Sequence, residues 1–551
     1  MLSYRKLAMR VLGRPLHTGG GIDSPRPASQ RAAALVLTAA MLTTFTAPAF
    51  AKTWYIEDGD ITISASETKG TNKVSQGAEP EVEDTGTIIT NREKDASSHT
   101  VTINAGNDKV EVTLDNVNIK ADSGSALISK GDVTLTLKGD NHLTGGNGGS
   151  SSYGGDGITS SGSLTISGGT VTATGGDSTS SVGSGGSGIY SVSGDVTISG
   201  GTVNANGGDG KNGSGGGSGI DSSGGVTVSG GTVTANGGDS KDGSGGNGIY
   251  SSGGVTISSG STVTANGGDG EDGSGGRGIT SNGGVTVSGG TVNAKGGSGK
   301  NGNGGDGIRS FNPVAISGGT VNANGGNSDY SNGGDGIRSL DHVAISGGTV
   351  KSNGGSGNLS GGNGIISYDI DLSGSLELTA KAGSPNGKAL SRVGSELDLN
   401  TIKDKLDPGA KVTATDADGK VIQQVSIPRP VEPEEPSSSS DGGSATPSAP
   451  ASFLPGLTVT DKDGQRISYT STQSGNTLTV CVGRFTASLR ISLAALRQLR
   501  AEGIETITFQ TILCSTTLSV DELLAMGGED AEVVLTHHIR SSTLTVGGKA
   551  V

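Results

Sequence analysis

The sequence predicts an all-β fold, a parallel β-helix solenoid with glycine-rich turns, followed by a small C-terminal α+β module. Three observations predict the solenoid: an isoleucine recurs every 28 to 31 residues, apolar and polar residues alternate around it, and 102 of the 551 residues are glycine. Internal repeats of this length are typical of solenoids, in which one repeat forms one turn. The recurring residues are Ile158, Ile189, Ile220, Ile249, Ile279, Ile308, Ile337 and Ile365.

Each repeat contains three short segments with period-two alternation, which is the pattern of β-strands. In one unit these segments are "GIYS", "GVTIS" and "TVTAN". A single inward row per strand makes no core alone, but identical turns stacked about 4.8 Å apart bury each row against its copies. We therefore expect Val233, Ile249, Val255 and Ile257 to be buried together.

The glycine-rich segments between strands raise a separate question. Glycine suits the corners because it adopts positive φ without steric cost. The segment Gly237–Gly246, "GGDSKDGSGG", is longer than a corner requires and has no apolar side chain. Since ordering a residue costs about 1–2 kcal/mol, we expect this segment to loop outward and to stay mobile unless a ligand binds it.

The N-terminus predicts export. Basic residues precede the apolar run "AAALVLTAAMLTTF", and "APAFA" supplies a small-x-small cleavage site ending at Ala51. A membrane anchor is the alternative, although the run is short for spanning a bilayer, and no other stretch is suited to cross one. We expect a secreted, extracellular or cell-surface-associated protein.

The composition divides the chain into five regions. They are a signal peptide (1–51), the parallel β-helix (52–365, with glycine-rich repeats in 154–365), its C-terminal cap (366–426), a Pro/Ser-rich linker (427–456) and the α+β module (457–551). In the cap, Ser395 is expected to begin a short helix. Cys481 and Cys514 both lie in the module, where a disulfide and two buried thiols are both open alternatives.

Charge and residue pattern exclude some functions. The net charge of −14 argues against a nucleic-acid partner, since phosphates require basic surface. A glycoside hydrolase needs a pair of carboxylates flanking the scissile bond, and the strands show no such pair. The sequence predicts a protein that is not an enzyme.

The column that follows the recurring isoleucine contains the candidate ligand-binding residues. Its side chains are expected to point outward, and an aromatic face with polar partners can hold a sugar ring. The candidates for carbohydrate binding are Tyr190, Asp221, Tyr250, Arg309 and Arg338. The alternative is structural: Asp306 and Asp335 stand three residues before the two arginines and can pair with them.

Four aspartates in the glycine-rich segments are candidate calcium ligands. "GGDGEDGSG" matches most of the calcium nonapeptide G-G-x-G-x-D-x-U-x, and calcium takes several oxygen ligands. The candidates are Asp239, Asp242, Asp269 and Asp272; the alternative is a solvated polar loop with no cofactor. Two further columns recur. The asparagine column is expected to be a structural ladder at one corner. The outward threonine column is expected either to reflect β-propensity alone or to contact sugar hydroxyls, with ice binding as a further alternative.

The stretch "VTLDNVNIKADSGSALISKGDVTLTLKGDNHLTGG" and the units "LTISGGTVTATGGD" and "VTISGGTVNANGGD" resemble secreted carbohydrate-binding domains of clostridial bacteria. The resemblance covers about residues 54–371 and implies a right-handed, pectate-lyase-like β-helix without catalysis, linked to plant polysaccharides and calcium. Similar repeats occur in adhesin-like surface proteins.

Together these patterns predict an exported protein that binds polysaccharide or a surface glycan without cleaving it, with calcium as an optional aid. The alternative is a structural adhesin or spacer that presents the C-terminal module. The sequence names neither the glycan nor the oligomeric state.

Overall fold

The computed structural model describes residues 51–149, 153–179, 183–392, 395–428 and, with short internal gaps, 457–550. Residues 1–50 of the predicted signal peptide, residues 429–456 of the predicted linker and Cys514 lie outside the described residues. The described residues form two compact units, one on each side of the predicted linker. Among them, no helix is long and apolar enough to cross a membrane.

The predicted parallel β-helix is confirmed. Each turn places one strand in each of three sheets, and each strand pairs in parallel with its copy in the next turn. Sheet 1 contains the strands that begin at the recurring isoleucine, namely Ile158–Ser161, Ile189–Ser193, Ile220–Ser222, Ile249–Ser251, Ile279–Ser281, Ile308–Ser310, Ile337–Ser339 and Ile365–Ser367, and it continues with Leu390–Arg392.

The other two sheets follow at the next two corners, and Leu164–Thr174 contributes to both. Sheet 2 continues with Val196–Ile198, Val226–Val228, Val255–Ile257, Val285–Val287, Val314–Ile316, His342–Ile345 and Asp369–Leu372. Sheet 3 continues with Thr202–Asn206, Gly231–Asn236, Ser261–Asn266, Thr291–Lys295, Thr320–Asn324, Thr349–Asn353, Glu377–Lys381 and Lys411–Thr415.

The N-terminal part of the solenoid is less regular. Residues 61–84 form an antiparallel meander that joins the stack through the parallel pair Ile61↔Val101. A 3-10 helix, Ile56–Asp58, links the first two strands. The strands are Thr53–Tyr55, Ile61–Ala65, Asn72–Gln76, Val82–Asp84, Ile88–Thr90, Val101–Asp115, Asn118–Lys120 and Leu127–Thr144.

Small aliphatic side chains fill the interior of the solenoid as predicted. Val233, Ile249 and Ile257 are fully buried, and Val255 is 1% exposed. Each lies above and below an aliphatic residue of the neighbouring turns because the pairing is in register. The apolar surface buried by this stacking stabilises the fold by about 25 cal/mol per Å². A chain with 3% aromatic residues can therefore form a continuous core.

The glycine-rich segments are exposed at their tips, as at Asp242, but backbone hydrogen bonds hold them to neighbouring turns, a source of order that the expectation of a mobile outward loop did not include. The amide of Gly246 donates to the carbonyl of Gly238 within its own turn, and the amide of Gly238 donates to Gly217 of the turn before, both at 2.8 Å. A Cβ at Gly246 would overlap the carbonyl oxygen of Gly217. Backbone hydrogen bonds between closely spaced glycines therefore order these segments without apolar side chains.

The region predicted as a cap begins with further turns of the solenoid. Asp369–Leu372 and Glu377–Lys381 continue sheets 2 and 3 in parallel register, as does Lys411–Thr415. The stack ends where pairing becomes antiparallel, at Ser395–Glu396 and Val421–Ser426. The expected helix is a 3-10 helix, Leu399–Lys405, and its N-cap is Asp398 instead of Ser395.

The C-terminal unit is a small α+β module, as predicted. One sheet contains Leu457–Thr460, Ala487–Ser492, Glu532–His537, Ser542–Val546 and Lys549–Ala550, and the other contains Thr470–Ser474, Thr477–Cys481, Thr506–Gln510 and Ser515–Ser519. The helices are Leu493–Ala501, capped by Ser492 Oγ, and Val520–Met526. The half-buried Cys481 donates to Gln510 Oε1 at 3.5 Å.

Candidate functional site

The candidate binding residues form one continuous column on the outer face of sheet 1. We call it the outer column; its members are Thr159, Tyr190, Asp221, Tyr250, Thr280, Arg309 and Arg338, each paired in parallel with the next. The isoleucine before each member points into the core, so strand alternation turns the member itself outward. Successive members therefore lie about 4.8 Å apart.

A second column runs beside it at the corner that precedes sheet 1. This corner column, three residues before the outer column, contains Asp156, Ser187, Ser218, Asn247, Arg277, Asp306, Asp335 and Asn363. Its carboxylates and amides accept backbone N–H groups of the following turn: Ser187 N donates to Asp156 Oδ1 at 2.8 Å, and Asp335 N donates to Asp306 Oδ1 at 2.9 Å. The corner column thus stabilises the stacking of turns.

The arginine end of the outer column is paired internally, as the structural alternative predicted. Asp306 Oδ2 lies 3.6 Å from both Arg277 and Arg309, and Asp335 Oδ2 lies 3.0 Å from Arg338. Both aspartates are buried, with 6% and 5% exposure. Burial, followed by the charge of Asp335, raises the pKa of Asp306.

The tyrosine end has a different arrangement. Asp221 lies between Tyr190 of the turn before and Tyr250 of the turn after, and all three side chains are half-buried. Ser218 occupies the corner position that Asp306 and Asp335 occupy at the arginine end of the column. Among the described residues, no side chain or backbone group donates a hydrogen bond to the Asp221 carboxylate, and no cation pairs with it.

Burial and the nearby charge of Asp156 raise the pKa of Asp221 to about 6. Asp156 has partners of its own, because Thr159 Oγ1 donates to its Oδ2 at 2.7 Å and Ser187 N donates to its Oδ1. Burial also raises the pKa of Asp156. Asp221 is therefore a half-buried hydrogen-bond acceptor without a partner among the described residues.

The two tyrosines differ in how they are held. Asn282 Nδ2 donates to Tyr250 Oη at 3.1 Å, which fixes that ring against the following turn. Burial, then the charges of Asp221 and Asp156, raises the pKa of Tyr190. A ligand lying along the column would meet two aromatic rings about 10 Å apart, with a carboxylate between them.

The predicted calcium ligands lie in the packed glycine-rich segments. Asp239 Oδ1 accepts from Asp269 N at 2.7 Å, and Asp269 Oδ1 accepts from Ser298 N at 2.6 Å. Asp272 Oδ1 accepts from Asn301 Nδ2 at 2.7 Å, and Asp242 is exposed. Within the described part of the chain, no three acidic, His or Cys side chains are grouped to hold a metal ion, so an ion here would need backbone carbonyl ligands as well.

The asparagine column at the sheet 3 corner is a structural ladder, as predicted. Asn236 Nδ2 donates to Asn206 Oδ1, and Asn266 Nδ2 donates to Asn236 Oδ1, both at 2.9 Å. The outward threonines, of which Thr202 and Thr232 are two, form a partly exposed row on the same sheet.

Sequence reasoning missed Asp156 and Asn247 as neighbours of the site. Asp156 contributes to the raised pKa of Asp221, and Asn247 Oδ1 lies 3.3 Å from Thr280 Oγ1 as its acceptor. Their position in the repeat could have identified them, because both occupy the corner position of Asp306. That position indicates proximity to the outer column only once the turns are stacked.

Comparison with known families matches the solenoid. A family model described as beta helix repeat matches residues 164–188, 196–218, 226–248 and 314–337. No curated protein and no solved structure matches the chain. The matched segments agree with the β-helix repeat fold; each runs from a sheet 2 strand through sheet 3 into the following glycine-rich segment, and three of them lie in successive turns.

Proposed function

We propose that the protein is an exported, extracellular or cell-surface protein that binds polysaccharide on the outer column and does not cleave it. The observation that supports this best is the half-buried Asp221, whose carboxylate has no hydrogen-bond or ion-pair partner among the described residues and lies between Tyr190 and Tyr250. A ligand donor can replace the water that solvates this carboxylate. Sugar hydroxyls are such donors, and aromatic rings pack against the apolar face of a sugar.

The arrangement favours an extended ligand over a small molecule. The candidate residues follow the solenoid axis one turn at a time, so successive sugar units meet successive turns. Affinity is therefore expected to rise with oligosaccharide length. Calcium is part of the proposal as an optional aid at Asp239, Asp242, Asp269 and Asp272.

The test is a binding panel of soluble polysaccharides and oligosaccharides of increasing length, using the full chain. Replacing both Tyr190 and Tyr250 with alanine is expected to weaken binding by about tenfold, since aromatic packing contributes about 1 kcal/mol per ring pair beyond burial. The matched control replaces Tyr153 and Tyr330, which are 68% and 62% exposed and lie in glycine-rich segments.

Asp221→Asn separates the hydrogen bond from the ring contacts. It is expected to weaken binding at pH 7, where the parent carboxylate is largely ionised and can accept from ligand hydroxyls, and to have a smaller effect at pH 5, where the parent is itself largely protonated. Equal binding by the parent and the double tyrosine variant, or no binding by the parent to any glycan, would contradict the proposal.

A second function is favoured by the architecture. The continuous hydrogen-bonded stack and the separate C-terminal unit suit a rigid spacer or adhesin that presents this module. A parent that binds no glycan, together with a C-terminal module that binds a surface protein, would support this alternative.

A further inference from the structure

A third column lies on the same strand face of the solenoid, two residues beyond the outer column. In the last turns it contains Phe311, Leu340 and Tyr368, which follow Ser310, Ser339 and Ser367 at the ends of sheet 1 strands. Phe311 is 45% exposed and Tyr368 is 65% exposed. In the earlier turns the same position holds Val192, which is 46% exposed, and then Ser223, Ser252 and Asn282, so the exposed aromatic side chains of this column are confined to the last turns.

The apolar group borders a groove that also contains an arginine. The groove has a volume of about 150 Å³ and is lined by Arg338, Ser339, Leu340, Ile366, Ser367 and Tyr368. The Arg309 guanidinium lies 5.4 Å from the centre of the Phe311 ring. A cation and an exposed aromatic ring are therefore neighbours on one open surface.

Arg309 and Arg338 are held by ion pairs but do not use all of their hydrogen-bond donors. Asp335 holds Arg338 by one nitrogen, Nη1, at 3.0 Å. Among the described residues, the Nε atoms of Arg309 and Arg338 are buried and have no hydrogen-bond partner. An arginine offers five N–H donors in a planar fork, so the terminal nitrogens, which are the ones a ligand can reach, have donors left for a ligand oxygen.

The local charge also favours an anion. Arg277, Arg309 and Arg338 face two buried aspartates, Asp306 and Asp335, which leaves one positive charge in excess within this cluster; the exposed Asp341 and Asp369 beside it pair with His342 and Arg392. The whole chain has a net charge of −14, which makes this cluster an exception. Burial raises the pKa of Asp306, and a proton on Asp306 would increase the excess.

We propose that this groove binds a sugar unit carrying an anionic group, with Arg338 pairing with the anion and Tyr368 packing against the ring. A uronic acid carboxylate and a sugar phosphate share this chemistry, because both present coplanar or convergent oxygens to a guanidinium. The proposal rests on the proposed function and adds a chemical class of ligand to it. Binding here is expected to weaken as salt rises, since the groove is open to solvent.

The experiment measures the affinity of the full chain, by calorimetry, for three oligosaccharides of equal length: neutral, uronate-containing and phosphorylated. The parent is expected to bind one or both anionic ligands at least tenfold more tightly than the neutral one. Arg338→Gln is expected to abolish that preference, and Arg338→Lys to retain part of it. The matched control is Arg392→Gln, which removes the same charge from an exposed arginine that pairs with Asp369 outside the groove.

Tyr368→Ala is a second test that does not depend on the buried ion pairs, because this ring is largely exposed. It is expected to weaken anionic binding severalfold, whereas Tyr330→Ala is expected to change nothing. Equal affinity for neutral and anionic ligands in the parent, or an unchanged preference in both Arg338→Gln and Tyr368→Ala, would overturn the anionic site and leave the proposed function standing. Failure of the parent to bind any of the ligands would overturn both.

Discussion

The two ends of the outer column have the same backbone and differ in what the corner residue supplies. At Arg338 the residue three positions earlier is Asp335, so the charge is paired within its own turn. At Asp221 the residue three positions earlier is Ser218, and the carboxylate has no partner among the described residues. One position in each turn thus decides whether a half-buried charge of the outer column has an ion-pair partner within its own turn.

The largest effect is expected from a substitution in the aliphatic core of the solenoid, which supports both ends of the outer column. Val233→Asp places a charge without a partner in the aliphatic stack, which is expected to destabilise the solenoid by roughly 4 kcal/mol or more. Thermal unfolding of the β-helix measures the change. Thr232→Asp, on the outward face next to it, is the control; equal melting of Val233→Asp and the parent would contradict the inward assignment.

The next effect concerns the paired end. Asp335→Ala removes acceptors for Asn363 N and Nδ2, at 2.6 and 2.9 Å, and leaves Arg338 without its ion pair. We expect a loss of about 3 kcal/mol in the free energy of unfolding. Asp369→Ala breaks an exposed ion pair with Arg392 and should have little effect. Similar small losses in both variants would show that burial does not strengthen the Asp335 pair.

At Asp221, removing the charge is expected to stabilise the folded protein, the opposite of the effect at Asp335. The pKa of Asp221 is raised from 3.8 to about 6, so the folded protein binds this proton more tightly than the unfolded chain. The stability from this proton is complete below about pH 4 and is lost as pH rises through about 6. Asp221→Asn is therefore expected to be more stable than the parent at pH 7, by up to about 3 kcal/mol.

The measurement for Asp221→Asn is the difference in unfolding free energy between variant and parent from pH 4 to pH 7. That difference is expected to grow in favour of the variant across this window. Asp242→Asn, in an exposed loop, controls for the general loss of a negative charge. A difference that stays constant with pH would show that Asp221 has its ordinary pKa.

The smallest expected effect comes from calcium. If the ion assists at the aspartate-bearing segments, millimolar calcium raises the melting temperature by mass action, and Asp272→Asn reduces the rise. Asp371→Asn, whose carboxylate pairs with Lys405 elsewhere on the solenoid, is the control. Identical melting curves in chelator and in calcium would remove the ion from the proposed function.

Much of the fold follows from repetition in the sequence. The recurring isoleucine and the alternating valines identified the strands, the direction in which each side chain points and the outer column, because period two and a constant repeat length together fix the register. The asparagine ladder and the Asp–Arg alternative were also predicted. Each depends on positions that are close in sequence or identical between turns.

Two features depended on the tertiary structure: the packing of the glycine-rich segments, and the burial and partners of Asp221 and Arg338. The backbone hydrogen bond from Gly238 to Gly217 joins residues of different turns, and no side-chain pattern marks it. Asp221 and Arg338 look equivalent in one column of sequence, yet their solvation and their partners differ. By itself the sequence determined the repeat, the strands and the inward core, since these arise from local alternation, whereas hydrogen bonding and desolvation between turns were decided only when the turns were stacked.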